Sequence, residues 1–325
     1  MKSYWRGLMV AALLAAPAAG AQAQGYPDKP VQIIADSSAG STPDVALRFV
    51  AEQLTKLWGQ QVIVVNKPGA GGSVAARAAA DAAPDGYTLY QPVLSTFVSL
   101  HPAAPNVPLH VPKDFLPIGF VAENPMFIAV SPTLKINSLK ELIERAKQHP
   151  GEISYATTGI GRLTHLAGEL LQHEAKIKLQ VVPYTGGPSH AVSDVATGRV
   201  GMIIEGYSGI AGAARSGSIK LIATAAAKRL AEFPDVPAVS ETIPDFVATG
   251  WAILVAPLGT PKAIVDKVSA DLFKVTQQPE LGAKLAKLGS YTRPMLAADA
   301  TAFVHKQQSV WDPVLADIAS KQPKK

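Results

Sequence analysis

The stretch VQIIADSSAGSTPD, residues 31–44, decides the fold class. Its first five residues, Val31 to Ala35, form a short apolar run that is typical of a buried strand. A loop of small polar residues follows from Asp36 to Thr42, and Pro43 lies where the first turn of a helix accepts proline. A strand, a short loop and a helix in this order predict a βα unit in a mainly parallel sheet.

The helix after this loop has a clear apolar face. Leu47, Val50, Leu54 and Leu57 recur at spacings of three and four residues, which predicts that all four are buried on one side. Gly59 can take the left-handed conformation that ends a helix. The helix is therefore expected to end at about residue 58.

The same alternation continues along the chain and predicts an α/β protein with two lobes. Two chain crossings would connect a first lobe, residues 24–124 plus 228–325, with a second lobe, residues 125–227. The proline-rich stretch 101–117 is expected to be a surface excursion. Ligands of open α/β sheets bind at the carboxyl ends of strands, so a cleft is expected there. Strands are predicted at 31–35, 61–65, 87–91, 126–130, 153–156, 180–183, 200–204, 219–227 and 251–256, and helices at 43–58, 73–82, 138–148, 163–174, 188–197 and in three stretches after residue 261.

A glycine-rich turn covers residues 66–72, with the sequence NKPGAGG. Such a turn before a helix can cradle phosphate, but the Gly-Lys-Ser/Thr end of a P-loop is missing. Close packing of the backbone is the better interpretation.

The first 23 residues have the pattern of a secretory signal peptide. Lys2 and Arg6 precede an apolar segment that is too short to span a bilayer, and Ala21-Gln22-Ala23 is a typical cleavage site. We expect cleavage after Ala23 and export to the periplasm. The chain has no cysteine, which excludes a lipoprotein anchor and disulfides.

The charge balance argues against a nucleic-acid partner. The full chain has a formal net charge of +5, and loss of the two leader cations would leave +3. The basic residues are scattered, whereas nucleic-acid binding usually needs a basic patch.

Several motifs in a fixed order resemble the Bug-type (TctC-like) substrate-binding proteins of tripartite tricarboxylate transporters. The resemblance covers essentially the whole chain after the leader. It is carried by Tyr26 to Pro30, Val64 to Gly72, Ala83 to Leu89, Lys113 to Phe115, Pro150-Gly151 with Ser154-Tyr155, His165 to Glu169, Val182 to Tyr184, Arg229 with Phe233 to Pro237, and Ala256-Pro257 with Gly259 to Pro261.

This resemblance implies a type II periplasmic-binding-protein fold, in which two α/β lobes close on one solute. It implies no catalysis and no cofactor. The expected ligand is a small organic carboxylate, such as a dicarboxylate, an amino acid or an aromatic acid. The expected partners are the membrane permease subunits of a tripartite transporter, and we expect a monomer. In the family one loop from each lobe holds the carboxylate, which maps here to Asp36–Thr42 and Thr157–Thr164.

Both loops are rich in hydroxyl residues and glycine, which suits a carboxylate. Hydroxyls and free N–H groups at a helix N-terminus donate hydrogen bonds where the helix dipole is positive. Ordinary helix capping is the alternative. The candidate ligand-binding residues are Ser37, Ser38, Ala39, Gly40, Ser41 and Thr42 from the first loop and Thr157, Thr158, Gly159, Gly161, Arg162 and Thr164 from the second.

The first loop departs from the family pattern, because Asp36 and Ser37 occupy positions that usually hold proline and phenylalanine. The ligand therefore cannot be carried over from the family. Arg162 could form a bidentate pair with a ligand carboxylate, or it could be exposed to solvent. If Asp36, Arg162 and Glu205 all face the cleft, they would suit a zwitterion or a carboxylate with a donor at its other end.

Three more candidates follow predicted strands, namely Ser95, Thr96 and Tyr184. Tyr184 could contact ligand or pack against protein.

Three other functions are alternatives to carboxylate binding for transport. A hydrolase could use Ser189-His190 or His165, but no Gly-x-Ser-x-Gly elbow is present. His165, Glu169 and His173 share a helix face, but they span about two turns, too far for one tetrahedral metal ion. The third alternative is a ligand sensor that signals to a sensor kinase, which uses the same closure.

Overall fold

A computed structural model describes residues 25–97 and 113–321, with side chains described up to residue 309 and at residue 311. The predicted signal peptide lies outside the described residues, and so does most of the stretch 101–117. None of the described helices is long and apolar enough to cross a membrane.

The first lobe is built from βα units at the start of the described chain. Strand β1 pairs in parallel with β2 on one side and with β3 on the other. The glycine-rich turn before α2 packs closely, as predicted, because a side chain at Gly72 would clash with Thr96. The elements are β1 (Val31–Ala35), α1 (Thr42–Trp58), β2 (Val62–Asn66), α2 (Ser73–Ala80) and β3 (Thr88–Gln91).

Helix α1 forms because its apolar stripe packs on this sheet. Leu47, Val50 and Leu54 are completely buried in the core of the first lobe. Gly59 has φ 66° and donates its N–H to the Thr55 carbonyl, which ends the helix as predicted. Leu57 is 38% exposed, so its predicted burial is wrong. Leu54 is the last completely buried residue of α1, and Trp58 at the end of the helix is partly buried against the same core.

The second lobe repeats this arrangement. Strand β5 pairs in parallel with β6 and with β7, and helices connect these strands. The elements are α3 (Leu139–Gln148), β5 (Ser154–Thr157), α4 (Leu163–Ala175), β6 (Gln180–Pro183), α5 (Pro188–Ala196), β7 (Met202–Gly206), α6 (Tyr207–Arg215) and β8 (Lys220–Thr224).

Two long strands join the lobes and make the sheet mixed. Strand β4 (Phe115–Val130) pairs antiparallel with β9 (Thr249–Pro257) up to Pro125, and from Met126 onward it pairs antiparallel with β7 and β8. The prediction of a mainly parallel sheet is correct for the βα units, and wrong for these crossing strands. The predicted strand 126–130 is the second part of β4.

Three helices follow β9, as predicted. They are α7 (Lys262–Thr276), α8 (Pro279–Ala286) and α9 (Ala297–Lys321). Helix α7 packs with the apolar face of α1 in the first-lobe core, and Phe303 of α9 packs against Phe120 and Trp251.

The segment between β8 and β9 packs with the second lobe. Phe233 contacts the rings of Phe127 and Tyr207, and the Thr224 N–H donates to the Pro237 carbonyl. These contacts fix the position of the chain before it returns along β9.

Candidate functional site

A cavity lies where the carboxyl ends of strands from both lobes meet. The first-lobe wall consists of the loop after β1 and the residues after β3, and the second-lobe wall consists of the loop after β5 and the end of β7. The cavity is lined by Ser37, Ser38, Ser41, Pro43, Val93, Leu94, Ser95, Asn124, Met126, Thr158, Arg162, Leu163, Thr164, Glu205, Gly250 and Trp251.

The first loop is held in place by side chains from its own lobe. Asn66 donates to the Ser37 carbonyl (3.0 Å) and to Asp44 Oδ1 (2.8 Å). Asp44 in turn accepts the Gly40 N–H at 2.8 Å, so it braces the turn. The loop therefore presents fixed groups to the cavity.

The N-terminus of α1 has no side-chain cap. Ser41 is the N-cap residue, but its hydroxyl donates to the Ser38 carbonyl at 2.7 Å. Nearby, the buried Ser37 hydroxyl, 5% exposed as a residue, has no hydrogen-bond partner among the described residues. The first lobe thus offers an unused hydroxyl beside a positive helix end.

The N-terminus of α4 is also uncapped by a side chain, and its N-cap residue is Arg162. Thr157, Thr158 and Thr164 form a hydroxyl cluster beside it. Thr164 Oγ1 lies 2.7 Å from Thr157 Oγ1 and 3.2 Å from Thr158 Oγ1, and it accepts the Thr158 N–H. The second loop is thereby fixed to the first turn of the helix.

Arg162 reaches from the second lobe to Asp36 of the first. Its guanidinium donates to the Asp36 carbonyl oxygen, and Nη1 lies 3.7 Å from Asp36 Oδ1. Arg162 is therefore not exposed to solvent, and its charge faces a protein carboxyl. The alternative of a solvated arginine is wrong because the arginine side chain is only 16% exposed.

Asp36 is completely buried behind the cavity wall. Its Oδ2 accepts hydrogen bonds from the Thr96 hydroxyl, from Tyr90 Oη at 3.2 Å and from the Val93 N–H at 3.4 Å. Burial raises the pKa of this carboxyl above its ordinary value, and the Arg162 charge and these hydrogen bonds oppose the shift only in part. Asp36 anchors the arginine and does not line the cavity.

Glu205 is a second buried carboxyl, 3% exposed, and it does line the cavity. Its Oε1 accepts the Gly206 N–H at 2.9 Å, and its Oε2 accepts the Thr158 hydroxyl at 3.1 Å. Burial raises its pKa to about 7, with these two hydrogen bonds opposing the shift.

The predicted site residues divide into two groups. Eight lie at the cavity, namely Ser37, Ser38, Ser41, Ser95, Thr158, Arg162, Thr164 and Glu205. The other eight do not line it, namely Ala39, Gly40, Thr42, Thr96, Thr157, Gly159, Gly161 and Tyr184.

Three residues of this second group support the wall from behind. Thr96 donates to Asp36, Thr157 bonds Thr164, and Thr42 is buried against Gly206. Tyr184 donates its hydroxyl to Asp194 at 2.7 Å, which favours the packing alternative for this residue.

Sequence reasoning missed the floor of the cavity. Asn124 and Met126 belong to β4, and Gly250 and Trp251 belong to β9, where the two strands cross between the lobes. The Asn124 side chain is fixed by the Ser290 hydroxyl at 2.7 Å. Pro125 could have indicated this floor, because proline within a strand is confined to edge strands, strand starts and bulges.

His165 has a structural role in the second loop. It is 7% exposed, its Nδ1 lies 3.4 Å from the Gly161 nitrogen, and its Nε2 lies 3.7 Å from Glu169. Burial lowers its pKa, and Glu169 partly opposes this. Within the residues that the structure describes, no three histidine or acidic side chains are grouped as they would be around a metal ion.

The family follows from comparison with known proteins. The model of the tripartite tricarboxylate transporter family receptor (TctC) matches residues 46–319. This chain belongs to that receptor family. The family consists of periplasmic solute-binding proteins, not enzymes.

Relatives in Bordetella extend the match to nearly the whole chain. A UPF0065 protein of Bordetella bronchiseptica is 35% identical over 93% of this chain and 89% of its own length. The protein BugT of Bordetella pertussis is 32% identical over 94% of both chains.

Solved structures share the fold at similar identity. The periplasmic binding protein BugD has a TM-score of 0.81 at 31% identity, with 90% of this chain and 98% of that chain covered. Rhodopseudomonas palustris Rpa4515 with adipate has a TM-score of 0.84 at 26% identity (89% and 97% covered). MatC of the same organism with bound malate has a TM-score of 0.80 at 28% identity (89% and 100% covered). The predicted two-lobed binding-protein fold is confirmed.

Proposed function

We propose that this chain is a periplasmic receptor that captures a small carboxylate-bearing molecule by closure of its two lobes. The observation that carries the proposal is the convergence of α1 and α4 on one cavity, with neither helix N-terminus capped by a side chain. Uncapped helix N-termini have free N–H groups and a positive dipole end, which together favour an anion.

A second feature supports an anionic ligand. The Ser37 hydroxyl is buried at the cavity without a partner among the described residues, and a buried donor without an acceptor is costly unless a ligand supplies one. Adipate in Rpa4515 and malate in MatC, both carboxylates, are consistent with this class of ligand.

Closure requires a boundary between the lobes at each chain crossing. At the first crossing we propose the boundary that the sequence predicts, between residues 124 and 125. Asn124 and Met126 flank this point and both line the cavity. For the return crossing, the packing of Phe233 favours a boundary near residue 248 over the predicted 227. The segment 228–248 would then move with the second lobe.

The downstream partner is proposed from the family alone. We infer that the closed receptor delivers its ligand to the membrane permease subunits of a tripartite tricarboxylate transporter. Uptake of the ligand into cells should be lost when either the receptor gene or the permease genes are deleted. Normal uptake without the receptor would contradict the delivery role.

The binding claim is tested by thermal shift and calorimetry on the purified receptor. Mono-, di- and tricarboxylates, amino acids and aromatic acids are screened, and a ligand at 100 times its dissociation constant should stabilise the protein by about 2.7 kcal/mol. A response to neutral solutes and to no acid would contradict the carboxylate proposal.

A pair of serine variants localises the site. Ser37→Ala should weaken binding of the identified acid about tenfold, because it removes a donor that faces the ligand. Ser208→Ala is the matched control, since its hydroxyl is also buried without a partner among the described residues but does not line the cavity. Equal affinities for the two variants would place the ligand elsewhere.

A further inference from the structure

One part of the second-lobe wall of the cavity has a chemistry opposite to that of the helix ends. It consists of the Glu205 carboxyl and the threonine hydroxyls beside it. The described residues contain no ion pair between Glu205 and a lysine, arginine or histidine, and the protein gives each carboxyl oxygen one hydrogen bond. An ionised carboxylate has about four acceptor positions, so capacity for a ligand donor remains.

The hydroxyls next to Glu205 are oriented by it. Thr158 has one hydroxyl hydrogen, and it donates this hydrogen to Glu205. The single hydroxyl hydrogen of Thr164 is then directed to Thr157 Oγ1 at 2.7 Å or to Thr158 Oγ1 at 3.2 Å, within the cluster. When Glu205 is ionised, Thr158 and Thr164 therefore present only lone pairs to the cavity. The wall accepts hydrogen bonds and offers none from these side chains.

The cavity also has an uneven charge. Arg162, the cation at its wall, is already held by Asp36. When Glu205 is ionised, its charge is thus left for the ligand to compensate, and an unpaired buried charge is costly. A second carboxylate of a ligand would meet Glu205 unfavourably, whereas an ammonium or hydroxyl group would meet an acceptor.

We propose that Glu205 is a specificity-determining residue that binds a hydrogen-bond donor of the ligand, so that amino and hydroxy monocarboxylates bind more tightly than unsubstituted mono- or dicarboxylates. This rests on the proposed function, in which the helix ends hold the carboxylate. It separates this receptor from Rpa4515, whose structure contains the dicarboxylate adipate.

The test compares matched acids that differ at one carbon. Straight-chain acids of three to six carbons are titrated in three forms, with hydrogen, hydroxyl or ammonium at carbon 2, together with the dicarboxylates of the same lengths. For the best-fitting length we expect the amino or hydroxy acid to bind at least tenfold more tightly than the unsubstituted monocarboxylate and the dicarboxylate of that length. Tighter binding of the dicarboxylate would overturn the proposal.

Variants of Glu205 assign the preference to this residue. Glu205→Gln keeps the shape of the side chain and removes its charge. It should reduce the ratio of the affinities for the amino acid and for its unsubstituted partner at least tenfold. Glu205→Asp should retain part of the ratio. Glu152→Gln, at an exposed acid that pairs with Arg145 and does not line the cavity, should leave the ratio of affinities unchanged.

The outcomes separate the two proposals. If acids bind but the ratio does not depend on Glu205, the specificity role is wrong and the carboxylate receptor stands. If no acid binds to wild type, the proposed function fails first. Melting temperatures of all variants show whether unfolding explains a reduced ratio of affinities. If Glu205→Gln is unfolded, the ratio of affinities measured with Glu205→Asp decides instead.

Discussion

Arg162 and Asp36 join the two lobes through a charged contact that is almost closed to solvent. The arginine is the N-cap residue of α4 in the second lobe, and the aspartate follows β1 of the first. Their charged atoms are 3.7 Å apart, and the arginine also donates to the aspartate main chain. Because the aspartate is completely buried, its charge depends on this partner.

Removal of Arg162 should therefore destabilise the protein strongly. We expect Arg162→Ala to lower the free energy of unfolding by about 3 kcal/mol, because it leaves a buried carboxylate without its cation. Adding Asp36→Asn should recover part of this loss. Urea denaturation of the two single variants and the double variant measures the coupling.

An exposed ion pair provides the control for this cycle. Arg199 pairs with Asp194 at 2.8 Å, but its side chain is 75% exposed. Arg199→Ala should cost less than about 1 kcal/mol. Similar losses for the two arginine variants would contradict the structural importance of the Arg162 contact.

Glu205 should make the stability fall as the pH rises. Its pKa increases on folding from 4.5 to about 7, so between these values the folded protein keeps a proton that the unfolded chain has released. The free energy of unfolding should decrease over this range, by about 3 kcal/mol for the full shift. Urea midpoints at pH 5, 6, 7 and 8 measure this decline.

Glu205→Gln isolates this contribution from other titrating groups. Buried Asp36 acts in the same direction, because its pKa is also raised, and His165 acts in the opposite direction, because its pKa is lowered. These contributions remain in the variant, so the difference between the two profiles reports Glu205. Parallel profiles for wild type and variant would contradict a raised carboxyl pKa at this position.

Gly206 lies in close contact with Thr42 between the two lobes. A methyl group at this glycine would overlap Thr42 Oγ1 and lie 2.6 Å from Thr42 Cβ, across the contact between β7 and α1. Gly206→Ala should therefore oppose closure and weaken ligand binding at least tenfold. In solution scattering with ligand present, the variant should have a larger radius of gyration than wild type. Adding Thr42→Ala should restore part of the affinity.

A second glycine shows whether the effect is steric. Around Gly212, in α6, no described atom outside the backbone of its own helix lies within 4 Å of the place that an added methyl group would occupy. Gly212→Ala should leave affinity unchanged and should slightly stabilise the helix. An equal loss of affinity in both alanine variants would show that the contact with Thr42 is not the cause.

The apolar face of α1 gives a stability contrast within one helix. Leu54 is completely buried, and Leu57, one turn later, is 38% exposed. Leu54→Ala should cost about 2–5 kcal/mol, because it leaves a cavity in the core. Leu57→Ala should cost under about 1 kcal/mol, and comparison of urea midpoints checks both values.

Local patterns in the sequence were sufficient for the βα units and for the loops that follow them. The strand at Val31–Ala35 and the Gly59 helix end have the predicted positions because neighbouring residues determine them. Helix α6 was missed, since Gly209 and Gly212 lower its helix propensity and packing on the second lobe determines it.

The strand at 251–256 and the second part of β4 were predicted, but the first part of β4 and its antiparallel pairing with β9 were beyond local prediction. Strand β4 contains Pro117, Gly119 and Pro125, which argue against a strand in the sequence, and the β4–β9 register shifts between the first two. Its partner β9 lies more than a hundred residues away. For this reason the cavity floor at Asn124 and Trp251 was not foreseen, although half of the predicted loop residues reach the cavity.

The course of β4 determines where a bound ligand can be detected. Strand β4 pairs with β9 up to Pro125 and with β7 and β8 beyond it, so with the proposed lobe boundary a change of the angle between the lobes would bend the chain near Asn124, beside the cavity. A ligand at the pivot itself moves little, while the surfaces farthest from it sweep the largest distance. A membrane partner that distinguishes the loaded from the empty receptor would therefore best measure the spacing of the outer tips of the lobes.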